Sequence, residues 1–391
     1  MKKHIRIAII GGGPGGLTLA RVLHTQGIAA TVFELDEHPL SRPQGGTLDL
    51  HPESGQLALR QAGLEAEFKR IARYEDQETR LYDQTGKLRL ENADASSGDR
   101  PEVDRSALRQ ILLASLPEGV IRWGHKLRSV QPQADGTYTV AFENGESGVF
   151  DLVVGADGAW SRVRPLVSDA IPAYCGVSFV ELGLDDVDTD HPEITRLVGH
   201  GTMFALGDSK ALIAQRNANA HIRVYAALRV PEDWFAQGGV DLTSPESARR
   251  SLTTYFSDWA PELLRLIANS NDRIVPRLLY ALPIGHRWEN RPGVTLLGDA
   301  AHLMSPFSGQ GVNNAMLDAA ELAFALSHAL EKGGGWIEAV KLYEVVMLDR
   351  AEEASAASAQ GLDSAIAPDG LAHTLEWMQG ILEPQEADSS N

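Results

Sequence analysis

The residues best equipped for chemistry lie near the start of the chain. Gly11-Gly12-Gly13-Pro14-Gly15-Gly16 follows a mostly β-branched run, Ile5-Arg-Ile-Ala-Ile-Ile10. Gly11, Gly13 and Gly16 stand at the spacing GxGxxG. Glycines so placed let the backbone approach a pyrophosphate, and the free N–H groups of a helix start receive its negative charge. Glu34 lies eighteen residues beyond Gly16 and twenty-three beyond Gly11, near the offset from which an acid bonds a ribose hydroxyl. An acid there, rather than a basic residue, favours a free 2′-OH and therefore FAD or NAD over NADP. The chain has no GxSxG elbow, no HExxH and no GxxxxGK[ST], and its twelve histidines show no metal spacing. No catalytic nucleophile and no metal site are expected.

These residues need particular elements to position them. Ile5–Ile10 reads as a parallel strand buried on both faces. Leu17 to Gln26 reads as a helix, apolar at 17, 19, 20 and 23, with Gly27 as its stop. Ala30-Thr-Val-Phe33 is a second strand that delivers Glu34. Strand, turn, helix, strand and terminal acid together form the context the glycine spacing requires. Two later segments repeat the strand-to-glycine pattern. Asp151-Leu-Val-Val-Gly-Ala-Asp157-Gly158 leads into a basic stretch at Arg162 and Arg164, and Gly293-Val-Thr-Leu-Leu-Gly298-Asp299 leads into Ala300-Ala301-His302. Pro306-Phe-Ser-Gly309-Gln310-Gly311-Val312-Asn313 then opens a helix with Val312, Ala315, Met316, Ala319, Leu322, Ala323, Leu326 and Leu330 at helical spacing.

Composition bounds the rest. A length of 391 residues suits two or three packed units, and 43% hydrophobic with 23% charged residues describes an ordinary globular chain. A net charge of -18 argues against nucleic acid or an anionic membrane as partner, so a small molecule is expected. The single cysteine, Cys175, precludes an intramolecular disulfide and points to a reducing cytoplasm. Glycines at 11 to 16 break the apolar stretch after Met1-Lys2-Lys3, so no signal peptide is expected. No apolar run reaches the ~18 residues a membrane span needs.

The three motifs in this order resemble the single-component FAD monooxygenases of the para-hydroxybenzoate hydroxylase type, over residues 5 to about 330. Within them the chain is most similar to the tetracycline-inactivating enzymes, through Gly45-Gly-Thr-Leu-Asp-Leu-His51, Arg105-Ser-Ala-Leu-Arg-Gln-Ile-Leu-Leu113 and Phe256-Ser-Asp-Trp259. The resemblance implies an α/β fold: a Rossmann-like FAD-binding domain, a β-sheet substrate domain and a C-terminal bridging helix. It places the FAD domain at 1–171, with an excursion near 75–100, and again at 276–331; the substrate sheet is 172–275, and the helix and polar tail 332–391. It implies that Gly11, Gly13, Pro14, Gly15 and Gly16 hold the pyrophosphate and Glu34 the adenosine ribose. Gly298 and Asp299 would serve the ribityl chain. Pro306, Gly309, Gln310, Gly311, Val312 and Asn313 would lie beside the flavin ring, with Arg42, Asp49 and Arg105 also reaching the cofactor. Asp157 and Gly158 match a motif with a mixed FAD and NAD(P)H role. The implied reaction has NADPH or NADH, as a transient visitor, reduce FAD; dioxygen forms a C4a-hydroperoxyflavin, which gives one oxygen atom to an electron-rich substrate. A closed, mostly apolar cleft, a monomer and inactivation of tetracycline antibiotics complete the expectation.

For several of these residues a plainer reading stands alongside. Asp157 and Asp299 could be turn-forming acids, and Arg42 and Arg105 solvated surface arginines. Within 172–275, Thr195–Gly199, Thr202–Leu206, Ala211–Gln215 and His221–Arg229 read as antiparallel strands apolar on one face. Glu181, Met203, Phe204 and Arg223 fall near substrate-contacting positions of the tetracycline enzymes, with Glu181 where those have glutamine and Arg223 where they have histidine. Glu181 and Arg223 could equally be a cross-strand ion pair on a solvated face. Phe179, Phe204 and Tyr225 read as core. A FAD oxidase or dehydrogenase, or a flavoprotein that sequesters its ligand, are the alternatives to the monooxygenase.

Overall fold

A computed structural model describes residues 5–41, 45–92 and 99–382. The chain divides into two compact units. The first comprises residues 1–72, 99–173 and 280–359, and the second 73–98, 174–279 and 360–391.

The first unit is built on a five-stranded parallel sheet in the spatial order Val294–Leu296, Leu152–Gly155, Ile7–Ile10, Ala30–Phe33, Ile121–Arg122. Ile7–Ile10 is at its centre and buried at every position, as a strand covered on both faces must be. Helices Pro14–Thr25 and Gly311–Glu331 contribute Leu17, Leu19, Leu23, Met316, Ala319 and Leu326 to one hydrophobic core with this sheet. A three-stranded antiparallel sheet, Leu127–Pro132, Tyr138–Phe142 and Ser147–Phe150, belongs to the same unit. The topology sets the carboxyl ends of three adjacent strands side by side, each running into a glycine turn: Gly11 after Ile10, Ala156 to Gly158 after Gly155, and Gly298 shortly after Leu296. Ligands of open α/β sheets bind at such strand ends.

The second unit carries a seven-stranded mixed sheet in the order Val275–Ala281, Ala173–Leu184, His221–Arg229, Lys210–Asn217, Gly201–Gly207, Glu78–Asp83, Leu88–Asn92. One face packs on helices: Val180, Leu182, Met203, Ala214, Val224 and Ala226 join Leu252, Phe256, Trp259 and Leu263 in a single core. The expected strand at Thr195–Gly199 is instead part of the helix Pro192–Val198. Proline at its first position and Gly199 at its C-cap, with φ 75°, mark the ends of that helix; a run of four residues is too short to reveal its period. The helix Trp336–Ala365 forms where a helical pattern was expected. No helix among the described residues is long and apolar enough to cross a membrane.

Candidate functional site

The first turn is shaped by contacts that exclude side chains. Gly11 has φ +109°, and a Cβ there would sit 2.2 Å from the carbonyl oxygen of Ala156. At Gly16 a Cβ would meet the Gly11 oxygen at 2.1 Å. Gly13 faces open space and is the N-cap of Pro14–Thr25; no side chain caps that helix and its first turn holds no acid. Pro14 sets φ for the first turn and brings no N–H that would need a partner. The helix start is therefore left for an external anion.

Glu34 is 3% exposed. Its Oε2 accepts from the Gly12 N–H at 2.5 Å and its Oε1 from the Asp36 N–H at 3.0 Å. Each carboxylate oxygen keeps a second lone pair, so the acid is oriented by the backbone and still able to accept from a ribose hydroxyl. The residues present thus fit a dinucleotide: an open glycine turn, an uncapped helix start and a fixed acid at the next strand end.

The second turn is held by its own acid. Asp157 accepts from Ser161 Oγ at 2.6 Å and the Arg162 N–H at 2.7 Å, and burial pushes its carboxyl above the usual range. These contacts give Asp157 a turn-forming role and, as at Glu34, leave each carboxylate oxygen a second lone pair. Beside it, Arg164 is 3% exposed and donates to the carbonyls of Ala159 and Ala300, joining the second turn to the third. Burial lowers the pKa of that guanidinium.

In the third turn Gly298 has φ +59°, and a Cβ would meet Ala315 Cβ at 2.9 Å. Asp299 is exposed and has no hydrogen-bond partner among the described residues, so its carboxylate is available to a ligand. Further along, Gly309 takes φ +66° with its Cβ direction 3.3 Å from the Asp49 carboxylate, which is hydrogen-bonded to His51 at 2.9 Å. Gly311 begins the helix Gly311–Glu331, whose first turn has neither a side-chain cap nor an acid. Asn313, 1% exposed, spends its amide inside the protein: Nδ2 donates to Asp49 O and Gly309 O, and Oδ1 accepts from the N–H of His51 and Gly55 and from Ser54 Oγ. It latches the 49–55 segment to the Gly309 loop. Arg105 opens the helix Arg105–Ala114; its N–H bonds Gly46 O at 3.0 Å, and its guanidinium has no ion pair among the described residues. Pro306, Gln310 and Val312 lie in or beside that loop. Arg42 lies outside the described residues.

Beneath the third turn is a network that motif reading did not find. Asp318 is fully buried and takes three donors: Gly298 N–H at 3.0 Å and His302 Nε2 at 2.6 Å on Oδ2, and Arg350 Nη2 at 2.8 Å on Oδ1. Arg350 also grips Glu321 with both terminal nitrogens, at 3.0 and 2.7 Å. Burial would lower the His302 pKa, but the charge and hydrogen bond of Asp318 hold it above its ordinary value. Burial would raise Asp318, and His302 and Arg350 hold it below. The sequence signal was an acid within the apolar stripe of the helix that begins at Gly311.

In the second unit, strand pairing sets Glu181 opposite Tyr225, Gly183 opposite Arg223, Gln215 opposite Arg223, and Phe204 opposite Ile213. Glu181, Arg223, Phe204 and Tyr225 share one sheet face. Glu181 and Arg223 do form an ion pair, but both are under a tenth exposed, so it is not a solvated one. Met203 belongs to the opposite, helix-packed face and is fully buried in that core. Its placement with Phe204 as a substrate contact is corrected by strand alternation, which turns adjacent residues to opposite faces. Phe179 is buried, as its reading as core expects, while Phe204 and Tyr225 are half-buried; none of the three belongs to the helix-packed core.

The fold and the three turns define a dinucleotide-binding flavoprotein. A family model described as a FAD binding domain matches residues 4–258 and 284–358. The chain belongs to that family and is a flavin-dependent monooxygenase. It is 33% identical to the monooxygenase asqM of Emericella nidulans, covering 81% of this chain and 83% of that one. It is 28% identical to the 3-amino-4-hydroxybenzoate 2-monooxygenase of Streptomyces cremeus, over 94% and 89%. Among solved structures it is similar to Klebsiella pneumoniae HpxO complexed with FAD and uric acid, with TM-score 0.80, 22% identity and coverage of 98% and 94%. It is also similar to tetracycline destructase Tet(55), with TM-score 0.74, 21% identity and coverage of 97% and 95%; at these identities the likeness is one of fold.

Proposed function

We propose that this monooxygenase inserts one oxygen atom into an electron-rich, phenol- or enol-bearing small molecule, with NADPH or NADH as a transient reductant and tetracyclines among its substrates. The observation that carries the reading is the Gly11–Gly16 turn facing Glu34, whose carboxylate the backbone fixes while lone pairs remain for a ligand. Gly13 and the start of Pro14–Thr25 would take the pyrophosphate, Glu34 the adenosine ribose and Asp299 the ribityl chain, with Arg105 as a further cationic contact. Bound FAD supplies electron transfer from NAD(P)H and activation of dioxygen. The uncapped start of Gly311–Glu331 suits the negative charge that reduced flavin carries. Asn313 holds the loop that would border the ring, and no protein nucleophile is required. The aminophenol acid in the name of the Streptomyces relative supports a phenolic substrate, and the tetracycline destructase fold supports a fused enol. A reducing cytoplasm is the proposed setting, on the strength of the lone Cys175.

The test is a mass-spectrometric screen of tetracyclines and simple phenols for a product one oxygen atom heavier, run beside NAD(P)H oxidation. Substrate-stimulated NAD(P)H consumption with such a product is the expected result. Flavin bleached by substrate without NAD(P)H would identify an oxidase or dehydrogenase, and flavin that NAD(P)H never bleaches under argon would identify a sequestering protein.

A further inference from the structure

We propose that His286 is a positioning residue for Asp299: through the Ala301 carbonyl it fixes the short helix that presents Asp299 to the FAD ribityl chain, a proposal that rests on the reading of Asp299 as a ribityl contact. Asp299–His302 is a single turn of helix. The N–H groups of Ala301 and His302 both donate to the Gly298 carbonyl, at 2.8 and 2.9 Å. One turn does not hold its own shape, because a helix nucleus fixes several dihedrals for very few hydrogen bonds. Its orientation must come from outside. Asp318 supplies one tie, at the Gly298 N–H.

Side chains tie the other end. Ala300 and Ala301 are fully buried and the helix stops at His302, so their carbonyls receive no backbone donor among the described residues. Carbonyls at a helix end need partners from elsewhere. Arg164 Nη1 donates to Ala300 O at 3.3 Å, and His286 Nδ1 to Ala301 O at 2.9 Å. The shorter contact is that of His286. A carbonyl only accepts, so the proton of the imidazole is assigned to Nδ1. Nε2 is left as the acceptor, and Ser168 Oγ meets it at 2.8 Å while accepting from the Ala170 N–H at 3.1 Å. Burial, with smaller effects from Arg164 and His302, lowers the His286 pKa and so favours the neutral ring. The Ser168 hydroxyl thus selects the tautomer that Ala301 requires. A residue that merely joined two loops could use either nitrogen, whereas positioning the Asp299 helix takes a donor at Nδ1.

The test is the rate at which FAD leaves the holoenzyme on dilution, read from the recovery of flavin fluorescence. The amide nitrogen of Asn is bonded to Cγ, as Nδ1 is, whereas that of Gln lies one bond further out, at the reach of Nε2. His286→Gln should therefore release FAD about tenfold faster than wild type, and His286→Asn should stay within about twofold of it. Asp299→Ala should also release FAD faster. Adding His286→Gln to Asp299→Ala should change the rate little further, because residues that act through one contact are not additive. Wild-type release from His286→Gln, equal acceleration in the Asn and Gln variants, or additive effects of His286→Gln and Asp299→Ala would each overturn the proposal. Far-UV circular dichroism of every variant separates misfolding from lost positioning, and the Asn and Gln variants differ only in where the amide sits. A His286→Gln protein that keeps FAD while Asp299→Ala loses it sinks this inference alone; an Asp299→Ala protein that keeps FAD sinks the ribityl reading with it.

Discussion

Replacing Asp318 by Asn tests the buried network under the third turn with little change of shape. The carboxylate accepts from Gly298 N–H and His302 on one oxygen and from Arg350 on the other. Whichever way an amide is turned, its NH2 must face a donor, either Arg350 or the Gly298–His302 pair. The change also removes the anion hydrogen-bonded to His302 and leaves Glu321 as the ion-pair partner of Arg350 among the described residues. Breaking a buried pair from one side costs about 3–5 kcal/mol. For a unit of this size that corresponds to roughly 6–20 °C in Tm, at the scale of ~2–4 °C per kcal/mol. Differential scanning calorimetry of Asp318→Asn at pH 6 reads the loss, with Glu321→Gln as a milder companion because Glu321 is partly exposed. A Tm within a degree of wild type would refute the reasoning that this network holds the Gly298 turn.

The same network predicts a pH dependence. The folded His302 has a raised pKa, so its contribution is fully present below the unfolded value of ~6.5 and is lost as pH rises through the folded value; Tm against pH should fall over that window in wild type and lose that fall in Asp318→Asn, where burial of the ring is no longer outweighed by the Asp318 carboxylate. In Glu34→Gln the amide cannot accept from both Gly12 and Asp36, so FAD affinity measured by fluorescence quenching should drop roughly ten- to hundredfold. Asp299→Ala, at an exposed residue without a hydrogen-bond partner among the described residues, should lower FAD retention while leaving the stability of the flavin-free protein within about 0.5 kcal/mol of wild type; wild-type flavin content would count against its ribityl role.

What could be read in the sequence was what adjacent residues decide together. The strand Ala30–Phe33 was legible to the residue, because a short apolar run rich in β formers, set between a glycine stop and an acid, has one plain reading. The Gly11 turn was legible because its spacing encodes a close approach, here to the Ala156 carbonyl. Met203 was grouped with its neighbour Phe204, yet one step along a strand reverses orientation and turns Met203 into the helix-packed core. The turn that Asp157 shapes could not be read until Ser161 and the Arg162 N–H were seen to donate to it. Asp318, His302 and Arg350 lie 16 and 32 residues apart along the chain from Asp318 and meet only through tertiary packing. The second guanidinium on Glu181 comes from Arg277, 96 residues away, which no local pattern announces.

The account rests on FAD being seated by the Gly11–Gly16 turn and Glu34. The most direct measurement is the flavin content of the purified protein after incubation with FAD and gel filtration, for wild type and for Gly11→Ala, whose new Cβ would need the space of the Ala156 carbonyl. The account predicts a yellow wild type carrying close to one FAD per chain and a variant without it. A colourless wild type that does not take up FAD, or a Gly11→Ala protein that retains it in full, would contradict it.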